Sequence, residues 1–149
     1  GILSIIITNQ PGIAKGDLNE NELKIIHNKM ETLLGRQGAY VDRIYYCPHH
    51  PDRGFLGEIK KLKKNCNCRK PKIGLIQQAK KDLNIDITNS WFVGDSTRDI
   101  LAAKKAGIKS VLVQTGYAGK DKKYIISPDF ISKDLNQAVN LIIKEKKFL

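Results

Sequence analysis

The chain has 149 residues, 41% hydrophobic and 28% charged, which suits one folded domain with a buried core and excludes a disordered segment. No stretch approaches the roughly 18 apolar residues of a membrane span, and the opening apolar run is too short and too poorly flanked for a secretion signal. Lysine and arginine outnumber aspartate and glutamate 26 to 15, a formal charge of +11. That charge favours anionic partners, but the excess is lysine scattered without a recognition motif, so nucleic acid is not expected.

In chain order, Ile2 to Ile7 is a continuous, β-branched apolar run, the mark of a strand buried on both faces. Thr8-Asn9-Gln10-Pro11-Gly12 reads as the polar turn after it. A helix is predicted from about Asn21 to Leu34, where Leu23, Ile26, Met30, Leu33 and Leu34 recur at spacings of three and four before Gly35. His27 inside it is expected to have no role. Val41 to Tyr46 reads as a second strand. From Cys47 to Cys68, Pro48, Pro51, Gly54 and Gly57 break any period. A helix is expected over Lys72 to Leu83, a strand at Trp91-Phe92-Val93, a helix over Thr97 to Ala106 closed by Gly107, and a strand over Ser110 to Val113. Phe130-Ile131 makes a last short strand and Asp134 to Lys146 a terminal helix.

Strands alternating with helices, without tight hairpins, predict an α/β fold: a doubly wound, mostly parallel sheet in a single domain over residues 1–149. In such sheets ligands bind beyond the carboxyl ends of the strands. Thr8-Asn9-Gln10, Cys47 and Asp95 each stand at such an end.

Two constellations carry chemistry. In the first, Cys47-Pro48-His49 is followed by sixteen residues and then Cys66-Asn67-Cys68. Three sulfurs and an imidazole suit tetrahedral zinc, with Zn–S of about 2.3 Å, and leave no open coordination position. Cys47, His49, Cys66 and Cys68 therefore predict a structural zinc site that orders the loop over residues 47–68. His50 is a competing ligand, and His49 is the preferred one. An odd count of three cysteines argues against a disulfide framework, and the lack of a membrane span or secretion signal leads to the expectation of a cytoplasmic protein.

The second constellation is distributed. Gly94-Asp95-Ser96-Thr97-Arg98-Asp99 leaves a strand and opens a helix, so Asp95 and Asp99 offer carboxylates to Mg²⁺ or, equally, a helix cap. Thr8 and Asn9 suit a phosphate or a plain turn. Arg69-Lys70-Pro71 brings two cations to the expected helix start at Pro71 and Lys72, a place for a phosphate or a solvated surface. The order hydroxyl, cation, acid at successive strand ends joins them.

That order resembles the haloacid dehalogenase-like (HAD) phosphatases, and Thr8 to Ala14, Cys47 to Pro51 and Cys66 to Pro71 closely resemble the heptose-bisphosphate phosphatases within them. The resemblance covers about residues 1 to 132 and implies a Rossmann-like HAD fold with helices on both faces of the sheet. It further implies removal of one phosphate from D-glycero-D-manno-heptose 1,7-bisphosphate, for lipopolysaccharide or capsule, with catalytic Mg²⁺ and structural Zn²⁺. By motif, Thr8 would hydrogen-bond the transferring phosphoryl group, with Asn9 and Gln10 lining the substrate site. Lys70 would neutralise that group, Arg69 would bind the other phosphate, and Asp95 would ligate Mg²⁺ with support from Asp99. Ser96 stands where the family often has lysine, at a position facing the substrate.

One element of the family pattern is absent. The family attacks phosphorus with the first carboxylate of Asp-x-Asp-x-Thr, and no Asp-x-Asp occurs in these 149 residues. The chain is therefore expected to lack the first, nucleophile-bearing strand, to be inactive alone, and to self-associate through exposed sheet edges. Histidinol-phosphate phosphatase is the alternative enzyme. A non-catalytic, zinc-containing module that binds phosphate or nucleic acid is the alternative of another class.

Overall fold

The apolar run at the start forms β1 (Ile5–Asn9), which pairs in parallel with β2 (Arg43–Cys47), from Ile5 opposite Arg43 to Asn9 opposite Cys47. The computed structural model describes residues 2–146. β1 begins three residues later than expected and includes Thr8 and Asn9. Asp42 explains the late start: its carboxylate accepts from the Ser4 amide at 2.6 Å and its amide donates to the Ser4 carbonyl at 2.7 Å, in place of a ladder. Ile2 and Leu3 remain exposed. At the other end the Gln10 amide donates to the Cys47 carbonyl at 2.8 Å, carrying the pairing past Thr8.

The residues read as a turn continue into a short helix, α1 (Pro11–Lys15), with proline in its first turn, where no amide hydrogen is needed. Gly16 closes it at φ 84°, and a Cβ there would strike the Gly57 carbonyl. The loop over residues 47–68 thus passes directly against α1, where the Ile59 amide donates to the Ala14 carbonyl at 3.0 Å. α2 (Glu20–Gly35) starts at a reciprocal cap, the Asn19 side chain accepting from the Glu22 amide while the Glu22 carboxylate accepts from the Asn19 amide. The loop after β2 is irregular apart from one 3₁₀ turn, Lys60–Leu62.

The chain divides between Arg69 and Lys70 into two compact units. In the second, α3 (Gly74–Leu83) starts later than expected. Pro71 and Lys72, expected to begin the helix, lie instead in a turn that follows Lys70. β3 (Trp91–Gly94), β4 (Lys109–Val113) and β5 (Phe130–Ser132) form a parallel sheet in the order β3-β4-β5. Trp91 pairs with Lys109 and Val111 with Phe130. α4 (Thr97–Ala106) ends at Gly107 with φ 71°, as its sequence predicts, and α5 (Leu135–Lys146) follows β5. Val111, Val113 and Ala138 form the core of this unit, with Trp91, Val93 and Phe130 packed on them. Ile100 on α4 is buried too, and burial of such a side chain contributes about 1.5–3 kcal/mol. Every strand pairing among the described residues is parallel, the α/β pattern expected from the alternation.

Candidate active site and metal centre

β2 ends at Cys47, and the loop returns Cys66 and Cys68 to it. Cys47 Sγ lies 3.5 Å from Cys66 Sγ and 3.0 Å from Cys68 Sγ, and the latter two are 3.2 Å apart. His49 Nδ1 lies 3.2 Å from Cys68 Sγ and 3.7 Å from Cys47 Sγ. All four donor atoms fall within 4.8 Å of one another. Zinc bound tetrahedrally at about 2.3 Å from sulfur and about 2.0 Å from nitrogen spaces its donors about 3.5–3.8 Å apart, so a small outward movement admits the ion. The donors therefore fit a four-ligand metal. His49, rather than His50, faces the sulfurs; His50 Nε2 points to Asp52 at 3.8 Å.

The local electrostatics act differently on the four donors. Burial, with a lesser contribution from Lys64, lowers the His49 pKa and so favours the neutral ring that a ligand needs. Burial pushes the Cys47 and Cys68 thiols up, whereas hydrogen bonds from Cys68 and Cys47 hold Cys66 down against its own burial. The loop also holds Arg69, whose guanidinium donates to the His49 carbonyl at 3.2 Å. At the end of β1 the Gln10 side chain donates to Thr8 Oγ1 at 3.3 Å.

In the second unit, Lys70 Nζ meets Asp99 Oδ1 at 2.7 Å, with side chains 13% and 8% exposed. The other oxygen of Asp99 accepts from the Ser96 amide at 3.2 Å and the Ser96 hydroxyl at 2.7 Å, closing the cap of α4. Burial alone would raise the pKa of Asp99, but Lys70 and the Ser96 donors outweigh it and hold the carboxyl below its ordinary value. Lys70 is thus fixed at the carboxyl end of β3, beside the start of α4. Asp95 stands at that end too, its Oδ2 accepting from the Tyr117 amide at 2.9 Å and its carbonyl from the Gly119 amide at 2.8 Å.

The chain is similar to known proteins in sequence and fold. The HAD-hydrolase-like family model matches residues 67–138, which include Lys70, Asp95 and Asp99. The chain is 47% identical over 120 residues to the D-glycero-beta-D-manno-heptose-1,7-bisphosphate 7-phosphatase of Haemophilus ducreyi, covering 79% of this chain and 63% of the relative. The enzyme of the same name from Photorhabdus laumondii is 38% identical over 144 residues, or 96% of this chain and 68% of that one. A solved structure, D,D-heptose 1.7-bisphosphate phosphatase from B. bronchiseptica complexed with magnesium and phosphate, superposes with a TM-score of 0.81 at 32% identity. It covers 96% of this chain and 75% of that one. The chain belongs to the heptose-bisphosphate phosphatase family of HAD-like hydrolases. It spans 63% of the length of the relative from Haemophilus ducreyi and 61% of the enzyme of the same name from Vibrio cholerae, less than two thirds of each.

For this HAD-like chain, the expected residues gather in local sets: Cys47, His49, Cys66 and Cys68; Thr8 with Gln10; and Lys70 with Asp99 and Ser96. Ser96 is 3% exposed, and its hydroxyl is engaged by Asp99. One group escaped the sequence reading. Asp121 accepts from the Thr97 amide and hydroxyl, both at 2.8 Å, and so ties the loop carrying Tyr117 to the start of α4. Its partner is 24 residues away and no local period links them, so nothing in the sequence marked it. Among the described residues no helix is long and apolar enough to cross a membrane.

Proposed function

We propose that this chain is the greater part of a magnesium-dependent, cytoplasmic phosphatase that removes one phosphate from D-glycero-D-manno-heptose 1,7-bisphosphate. The observation that carries the reading is the buried Lys70–Asp99 pair at the end of β3, in a chain that shares 38–47% identity with enzymes of that name. In the first unit, Thr8 hydrogen-bonds the phosphoryl group, Asn9 and Gln10 contact the sugar phosphate, and Arg69 binds its second phosphate. In the second, Lys70 neutralises the transferring group and Asp95 takes the cation. Asp99 sets the direction of Lys70, and Ser96 acts through Asp99. Bound Mg²⁺ supplies charge neutralisation at phosphorus, the main demand of phosphoryl transfer. The four-ligand cluster takes structural zinc, since its donors fill a tetrahedron and leave no place for water.

The nucleophilic carboxylate is not among these 149 residues, which hold no Asp-x-Asp. The test is ³¹P NMR of heptose 1,7-bisphosphate incubated with zinc- and magnesium-loaded protein. The 149-residue polypeptide leaves both phosphates in place. The same polypeptide preceded in frame by the Asp-x-Asp-x-Thr segment of a relative removes one. Turnover by the first, or none by a folded second, contradicts the proposal.

A further inference from the structure

The loop that carries the metal ligands also holds a basic cluster that neither the metal cluster nor the assigned substrate residues use. Lys63 follows the 3₁₀ turn, and its side chain is 1% exposed. Among the described residues its Nζ finds no hydrogen-bond partner. The carboxylate oxygen within ion-pair distance, Glu58 Oε2 at 3.7 Å, already accepts from the Gly54 and Phe55 amides at 2.9 and 3.2 Å. The Phe55 ring centre lies 4.4 Å from Lys63 Nζ and 4.5 Å from Lys15 Nζ, so a second ammonium crowds the same ring. A buried ammonium with three donors and no acceptor at hydrogen-bond length is an exception that needs a reason.

The surroundings supply one. Arg53, Lys60 and Lys63 line a cavity of about 260 Å³ with Glu58, three cations to one carboxylate. Their mutual repulsion favours a counter-anion. The volume falls below the roughly 300–1,000 Å³ of sites for drug-sized ligands, which suits a small oxyanion with its waters.

We propose that this cavity in the metal-binding loop is a separate oxyanion site, taking a phosphate group on Lys63 Nζ with Arg53 and Lys60 around it. Lys63 supplies a point charge with three donors, and Arg53 a planar fork matched to two oxygens. The source is either free inorganic phosphate or the phosphoryl group of a phosphorylated sugar, with the same chemistry at the site. Glu58 folds the 54–58 turn over its own oxygen and leaves the lining net positive. The proposal does not depend on the hydrolytic reading, because every group it uses belongs to this loop.

The experiment is ¹H–¹⁵N NMR of the zinc-loaded chain titrated with inorganic phosphate, with glucose 6-phosphate, and with sodium chloride at matched ionic strength. The amides of Gly54, Phe55, Lys60 and Lys63 are expected to shift saturably with phosphate and not with chloride. Lys63→Gln should weaken that response roughly tenfold or more, the worth of a charge-assisted contact. Lys60→Gln, at an exposed position, should weaken it about two- to fivefold. Saturation by the sugar phosphate at much lower concentration assigns the site to phosphorylated sugars, and equal saturation assigns it to free phosphate. Shifts that never saturate and match those of chloride mean an adventitious ion only and overturn the proposal. So do saturable shifts confined to residues outside 53–63, or affinities unchanged in both variants.

Discussion

Replacing Asp99 by asparagine isolates the contact on which the second unit's chemistry turns. The substitution keeps the shape and one acceptor for Ser96 but removes the carboxylate charge that the Lys70 ammonium, with its side chain 13% exposed, meets at 2.7 Å. Removing one partner of a buried pair costs about 3–5 kcal/mol, and the retained acceptor puts this case near the lower end, about 3 kcal/mol. In a chain of this size each kcal/mol moves the melting temperature by about 2–4 °C, so the variant should melt roughly 6–12 °C lower at pH 7. The assay is thermal and urea unfolding of the zinc-loaded chain, with Lys70→Met and the double variant completing a cycle. The double variant should lose less than the sum of the singles, because the attraction between Lys70 and Asp99 is then lost only once.

The pH dependence has a definite sign. Asp99 has a lowered pKa in the folded protein, so between its folded and unfolded pKa values the unfolded chain binds more protons, and stability rises with pH. The contribution is present above the unfolded value of about 3.9 and is lost as pH falls through the folded value. The difference between wild type and Asp99→Asn should therefore narrow in acid. A variant within about 0.5 kcal/mol of wild type at pH 7, with additive singles, would refute the reasoning.

Other consequences are as direct. Elemental analysis should find one zinc per chain, and Cys66→Ser or a strong chelator should unfold the 47–68 loop, seen as collapse of its amide resonances, since metal binding and ordering are one equilibrium. Gly116 sits at φ 61°, and a Cβ there meets Asp95 Oδ2. Gly116→Ala should therefore cost about 1–3 kcal/mol of stability and weaken Mg²⁺ binding measured by calorimetry. Asp129 is held at a pKa of about 2 by Lys104 and by the Ser110 hydroxyl and amide. With its side chain 32% exposed, Asp129→Asn should cost about 1 kcal/mol in urea unfolding at pH 7, and the cost should vanish as pH falls toward 2.

Much of the fold was legible because its signals are local. The helix over Thr97 to Ala106 announces itself by serine before it, aspartate at its third position and glycine after it, and the metal cluster by two short cysteine motifs at the ends of one loop. What the sequence hid depends on distant partners. The start of β1 is set by Asp42, which takes both backbone groups of Ser4 from 38 residues away. α3 begins only at Gly74, after a turn over Pro71 and Lys72 that no helical period records. No motif or local period marks Asp121 or Lys63. Only folding shows one capping α4 and the other buried beneath an aromatic ring.

The most direct measurement is calorimetric titration of the zinc-loaded chain with heptose 1,7-bisphosphate, with and without Mg²⁺. The expected result is binding that weakens at least tenfold without the cation, and by about as much in Asp95→Asn and in Lys70→Met, each of which removes one charged contact to phosphate or metal. Equal affinity under all these conditions, or binding that responds only to added sodium chloride as a polyanion site would, contradicts the account.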